Sequence, residues 1–173
     1  SSSVNFEIEK NRTVSLFTSV DWDAALHFPS SVYKSQFDFL SDVIEIFRNY
    51  LDLKLVIRIH PAEITGSNPA YVSSEDYIRK LNPSSNVRII ASSSKVSSYE
   101  LAQNSKAVIV YNTKMGIELP PLGIPVIVAG DSWIRGKGFS YDVNKQNSLE
   151  SYIRNIDNLF LSEDQIELSI QFA

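Results

Sequence analysis

Three stretches of this sequence carry side chains whose types and spacing suit the handling of an anionic ligand. The first is His60-Pro61. Proline fixes the turn behind the histidine, so the imidazole can be aimed into a crevice. There it can donate a hydrogen bond to a phosphate oxygen and stabilise charge on a leaving group. The ordinary alternative is a structural histidine whose ring bonds a nearby backbone carbonyl. The second stretch is Asn112-Thr113-Lys114-Met115-Gly116-Ile117-Glu118. Backbone N–H groups at a helix start, with the Asn112 and Thr113 side chains, form an anion cradle. A carboxylate at Glu118 can bond two vicinal hydroxyls, as on a ribose; an ordinary capped helix with a surface glutamate explains the same residues. The third is Gly123–Gly138, GIPVIVAGDSWIRGKG. Arg135, Lys137 and the glycines after the apolar run make a basic, flexible loop able to close over a phosphate or a sugar carboxylate. A solvated loop is the alternative.

Other constellations are weaker. Asp21-Trp22-Asp23 is an acidic pair that can hold a metal or simply cap a turn. His27 has no partner at metal-ligand spacing. The sequence contains no GxxxxGK[ST], no GxGxxG and no GxSxG. With no cysteine, a thiolate zinc site, a disulfide framework and a cysteine nucleophile are excluded. Neither a cofactor nor a metal is expected.

These residues need elements to position them. Five short apolar runs stand out: Thr13–Thr18, Leu55–His60, Val87–Ala91, Ala107–Tyr111 and Pro125–Ala129. Most lack polar alternation, which suits strands buried on both faces of a parallel sheet. Between them lie helical patterns. In Ser35–Leu51, Phe37, Leu40, Val43, Ile44, Phe47 and Leu51 form one stripe. Ser73, Ser97 and Ser162 each stand three positions before an Asp, Glu or Gln, a helix-start signature. Leu149, Tyr152, Ile153, Ile156, Leu159 and Phe160 make a further stripe. The order β-α-β-α-β-α-β-(α)-β-α predicts a doubly wound, Rossmann-like α/β domain. Ligands bind such a sheet outside the carboxyl ends of its strands. That edge gathers Ser19–Asp23, His60–Glu63, Ser92–Ser94, Asn112–Glu118 and Gly130–Trp133. Thr65–Ser74, Lys95–Ser98 and Asp142–Ser148 read as loops, and there is no internal repeat.

Composition agrees. The 173 residues are 43% hydrophobic and 21% charged, enough for one domain with a real core. A net charge of −4 without any Lys/Arg run excludes an electrostatic nucleic-acid footprint. No apolar run has membrane-spanning length. The start, Ser1-Ser2-Ser3, has neither an initiator methionine nor a signal peptide, so the chain is expected to be part of a longer, cytoplasmic protein.

RIHPAE at Arg58–Glu63 and VIVYNTKMGIELPPLGIPVIVAGDSWIRGKGFS at Val108–Ser140 resemble the C-terminal domain of GT-B-type transferases of bacterial surface polysaccharide synthesis, in particular the capsule polysaccharide biosynthesis family. That family includes Kdo transferases, and it more distantly resembles sialyltransferases with an HP motif. The resemblance runs from about Thr13 to Tyr141. The chain departs from the family at Pro120-Pro121, which shortens or kinks a helix, and at Ser140, where threonine is common. The resemblance implies a nucleotide-sugar donor site, with a CMP-linked acidic sugar favoured. His60 would be its catalytic residue at the donor phosphate, flanked by Arg58 and Pro61. Asn112, Thr113 and Gly116 would hold phosphate, and Glu118 the ribose or base. Ser19 and Asp21 would face the pyrophosphate or sugar, with Arg135 and Lys137 closing from above. A glycan or glycolipid acceptor and the catalytic base would belong to an N-terminal half, so residues 1–173 would bind donor without turning over. The full-length protein would associate peripherally with the inner face of the membrane.

Three alternatives stay open: a CDP-glycerol-type glycerophosphotransferase, disfavoured by Tyr111-Asn112-Thr113 where that family carries Asp-Tyr-Ser-Ser; a sugar-nucleotide 2-epimerase domain; and a non-catalytic α/β interaction domain.

Overall fold

The computed structural model describes residues 9–19, 32–64 and 73–173. Its strands are β1 (Thr13–Phe17), β2 (Lys54–Arg58), β3 (Val87–Ile90), β4 (Ala107–Val110), β5 (Val126–Val128) and β6 (Tyr141–Asp142). Its helices are α1 (Gln36–Arg48), α2 (Ser74–Lys80), α3 (Ser98–Gln103), α4 (Met115–Glu118), α5 (Leu149–Arg154) and α6 (Glu163–Phe172). Short 3-10 turns occupy Lys10–Arg12, Pro61–Ile64, Pro120–Leu122 and Ile156–Asn158.

The strands form one sheet in the order β3-β2-β1-β4-β5-β6, every pair parallel. The order reverses between β1 and β4. Phe17 pairs with both Arg58 and Val110, and Val110 in turn with Val128. The strands therefore end level, and the residues just beyond them leave the sheet at one height.

Continuous apolar runs form these strands because helices cover both faces. Every residue of β1, β4 and β5 is buried. Successive side chains go to opposite cores, as a period of two requires. Val14, Leu16, Leu55, Ile57 and Ile109 join α1, α2 and α5 in one. Phe17, Val56, Val108 and Val110 join Leu101, Leu119, Ile134 and Phe139 in the other.

Serines start the helices, at Ser73, Ser97 and Ser162 as expected. Ser35, Ser73, Ser97 and Ser162 accept the N–H of Asp38, Asp76, Glu100 and Gln165 at 3.1, 3.1, 3.3 and 3.3 Å. Gln165 returns the contact to the Ser162 N–H at 3.0 Å, completing a capping box. Ser35 and Ser148 are caps outside the expected set. Each such cap contributes about 1 kcal/mol.

Two expectations change. A sixth strand, β6, closes the β5 edge at the entry to the stretch Asp142–Ser148 expected to be a connection. The C-terminal stripe breaks: α5 ends at Arg154, and Phe160 is 68% exposed rather than packed with Leu149 and Ile153. The Pro120-Pro121 kink is real, since α4 stops after four residues and continues as the 3-10 turn Pro120–Leu122. That turn ends on Gly123 at φ 73°, a conformation that favours glycine.

Candidate functional site

The site builds from the β1/β4 junction, where the strand order reverses and a crevice opens. Ser19 leaves β1 there and Asn112 leaves β4, with His60 from β2 on one side and Gly130 from β5 on the other. Asp21 lies outside the described residues, as do Trp22, Asp23 and His27.

His60 is half-buried and held at both ends. Its N–H donates to the Thr18 hydroxyl at 2.9 Å, tying the exits of β1 and β2 together. Pro61 has no N–H, so the first donor after the histidine is Ala62. That N–H reaches His60 Nδ1 at 3.1 Å. A nitrogen that accepts carries no proton, so in the neutral ring the proton sits on Nε2. The His-Pro-Ala turn thereby leaves Nε2 as the donor of the neutral imidazole. Pro61 is exposed and opens the 3-10 turn, with Glu63 N–H on His60 O at 3.0 Å. Beyond it, the Glu63 carboxylate accepts the Ser74 N–H at 3.0 Å, fastening the turn to the start of α2.

Arg58 is only 4% exposed. Its guanidinium donates to the carbonyls of Ile59 (3.2 Å), Ala91 and Ser94 (3.0 Å). Nε has no partner, and no carboxylate pairs with the side chain among the described residues. Burial pulls its pKa below the usual arginine value. Arg58 therefore braces the Ala91–Ser94 turn rather than offering free donors to a ligand.

On the β4 side, Asn112 and Thr113 are half-buried. The Thr113 hydroxyl accepts the Met115 N–H at 3.4 Å, and no hydrogen bond of the Asn112 amide is found among the described residues. Gly116 departs from its expected role. Its N–H is spent on Thr113 O at 3.0 Å, and a Cβ there would meet Ser132 Oγ at 3.3 Å and Ile134 Cδ1 at 3.4 Å. It lets α4 pack on the 132–134 segment instead of approaching phosphate. Glu118, exposed, accepts the Tyr99 hydroxyl at 2.7 Å. That contact raises the Tyr99 pKa.

Ser19 is also engaged. Its N–H and hydroxyl both donate to Gln36 Oε1 at 2.6 Å, and Gln36 Nε2 donates back to Ser19 O at 3.0 Å. Both residues are 3% exposed, so Ser19 sets the course of the chain rather than presenting its hydroxyl.

The basic loop is not the flexible hand that its glycines suggest. Arg135 donates to the carbonyls of Gly130 (3.0 Å), Val143 (2.8 Å), Val128 and Ala129 (3.3 Å each). Asp142 accepts the Gly136 N–H and the Ser140 hydroxyl at 2.6 Å each. Lys137 Nζ lies 5.4 Å from the Phe172 ring centre, away from the β1/β4 junction. Thr18, Gln36, Tyr99 and Asp142 are the residues that sequence reasoning missed. Thr18 answers a backbone amide, Gln36 and Tyr99 bond residues distant in sequence, and Asp142 joins a backbone amide to a serine two positions back, so none leaves a recognisable motif.

Among the described residues no group of three or more acidic or histidine side chains gathers in a metal-binding arrangement, and no helix is long and apolar enough to cross a membrane. A cleft of about 560 Å³ lined by Lys10, Lys106, Leu122, Pro125 and Phe160 lies at the opposite, amino-terminal edge of the sheet.

The profile of the family described as capsule polysaccharide biosynthesis protein matches residues 3–164. No curated protein matches the chain significantly. Among solved structures, the β-Kdo 2,4 transferase of Thermosulfurimonas dismutans KpsC is similar at TM-score 0.59 and 16% identity, covering 98% of this chain and 46% of its own. The β-Kdo 2,7 transferase of the same protein gives 0.54 and 19%, covering 90% and 43%. A UDP-GlcNAc 2-epimerase from Neisseria meningitidis bound to UDP-GlcNAc gives 0.60 and 18%, covering 91% and 39%. The chain thus spans less than half the length of these proteins. At such identities the likeness is one of fold.

Proposed function

The chain belongs to the capsule polysaccharide biosynthesis protein family, and from that premise we propose that it is the nucleotide-sugar-binding half of a glycosyltransferase of bacterial surface polysaccharide synthesis. The donor is a CMP-linked acidic sugar. One observation carries the reading. At the exit of β2, next to β1, His60 is set to donate through Nε2, two residues beyond a buried Arg58 that has no carboxylate partner among the described residues. A hydrogen-bond donor close in the chain to a buried positive charge, at the carboxyl edge of the sheet, suits a phosphate.

In this reading His60 bonds the donor phosphate and steadies the leaving nucleotide, Asn112 and Thr113 add contacts from the β4 side, and Glu118 takes the ribose hydroxyls. Arg58 acts through its field and through the turn it braces. The acceptor and the catalytic base belong to another half of the protein, so residues 1–173 bind donor without turnover. Calorimetric titration with CMP, CDP and UDP tests this. CMP binding should be lost in His60→Ala and weakened in Asn112→Ala with the fold intact. Parent-like binding by both variants would remove the site assignment.

An epimerase domain is the second reading, because the Neisseria structure bound to UDP-GlcNAc shares the fold. Preference for UDP over CMP in the same titration would favour it.

A further inference from the structure

Glu118 is joined to the turn after β3 through one side chain, Tyr99. The phenol donates to Glu118 Oε2 at 2.7 Å, and among the described residues Oε1 accepts nothing. Tyr99 stays 45% exposed, so its ring is open to solvent beside the carboxylate. The backbone that carries it is fixed. Arg58 holds Ala91 O and Ser94 O from below, Ser94 N–H closes the turn onto Ala91 O at 3.0 Å, and Ser97 caps α3 on the Glu100 N–H at 3.3 Å. An aromatic ring on a stiff support loses little freedom when a flat group settles on it.

We infer that Tyr99 and Glu118 form one nucleoside-recognition unit, in which Glu118 takes the ribose hydroxyls through Oε1 and the Tyr99 ring forms the wall against which the pyrimidine base packs. The inference rests on the nucleotide reading above and adds a base-contacting residue to it. A ribose held at Glu118 carries its base within reach of whatever adjoins that carboxylate, and the adjoining group is a tyrosine with an apolar body and a polar tip. The phenol hydroxyl is spent on Glu118, which leaves the ring itself for the base.

The test compares CMP with ribose 5-phosphate, which lacks the base, on the 173-residue chain. Tyr99→Ala should weaken CMP by roughly 5- to 100-fold, the range of a single base–aromatic contact, and leave ribose 5-phosphate unchanged. Tyr99→Phe, which keeps the ring, should bind CMP nearly as the parent does. Glu118→Ala should weaken both ligands. Equal loss of both ligands in Tyr99→Ala would make Tyr99 a brace for Glu118 and overturn the inference. So would an unchanged CMP affinity in Tyr99→Ala, or a Tyr99→Phe as weak as Tyr99→Ala. A parent chain that binds neither ligand would overturn the nucleotide reading itself, and this inference with it.

Discussion

The Tyr99 hydroxyl donates to the Glu118 carboxylate across 2.7 Å, joining the first turn of α3 to the last residue of α4. The hydrogen bond to Glu118 is the main cause of the raised Tyr99 pKa. A group whose folded pKa lies above its unfolded value contributes stability below the unfolded value and loses it as pH rises through the folded one. The contact should therefore persist through the ordinary tyrosine range and fail only above it. Subtracting the phenolate absorbance titration of Tyr99→Phe from that of the parent isolates this tyrosine. Glu118→Gln should move the isolated transition back down. An isolated transition at the ordinary tyrosine value in the parent would contradict the contact.

The His60 tautomer is open to direct observation. Nitrogen-15 NMR of the neutral ring should show a protonated Nε2 and an unprotonated Nδ1, because Ala62 N–H occupies Nδ1 at 3.1 Å. Pro61→Ala supplies an N–H one residue earlier and frees the turn. It should mix the two tautomers and weaken CMP binding without unfolding the chain.

Gly130 and Gly116 should respond differently to alanine. A Cβ at Gly130 would lie 2.5 Å from the Tyr111 carbonyl oxygen, a backbone atom fixed by the β4–β5 pairing. At Gly116 the nearest atoms are side-chain ends at 3.3 and 3.4 Å, which can give way. Gly130→Ala should cost about 1–3 kcal/mol and Gly116→Ala clearly less, as read from urea midpoints at constant m.

Arg135 staples the exits of β5 and β6 through four carbonyls. Arg135→Lys keeps the charge and loses the planar fork. It should speed amide exchange across residues 130–143 almost as much as Arg135→Ala does. A lysine variant with parent-like protection would mean that the charge, and not the fork, holds the loop.

Gln36 answers two donors of Ser19 with one oxygen. Gln36→Leu leaves a buried N–H and hydroxyl without that acceptor, at a cost of about 1–3 kcal/mol. Ser19→Ala removes only the hydroxyl and should cost less in the same denaturation experiment.

The fold was legible where burial dominates and obscure where it does not. β1, β4 and β5 are buried throughout, so their apolar runs announced them. β6 has two half-buried residues and no run to read. The caps at Ser73, Ser97 and Ser162 were visible because an Asp, Glu or Gln stands three positions on in the chain. The height of the site was also legible, since it follows from strand ends. The state of its residues was not. Arg58 and Arg135 look alike as basic residues near a phosphate, yet both spend their guanidinium groups on backbone carbonyls, and any residue can supply a carbonyl. Ser19 and Gln36 stand far apart in sequence and carry no joint signal.

The charge on Arg58 has a consequence for the life of the protein. Without bound anion the domain carries a buried cation that no carboxylate among the described residues offsets. An anion that binds only the folded state adds to its stability in proportion to the logarithm of its concentration. The fraction of chains open to proteolysis would then follow the supply of that anion, so its scarcity would lower the amount of the protein.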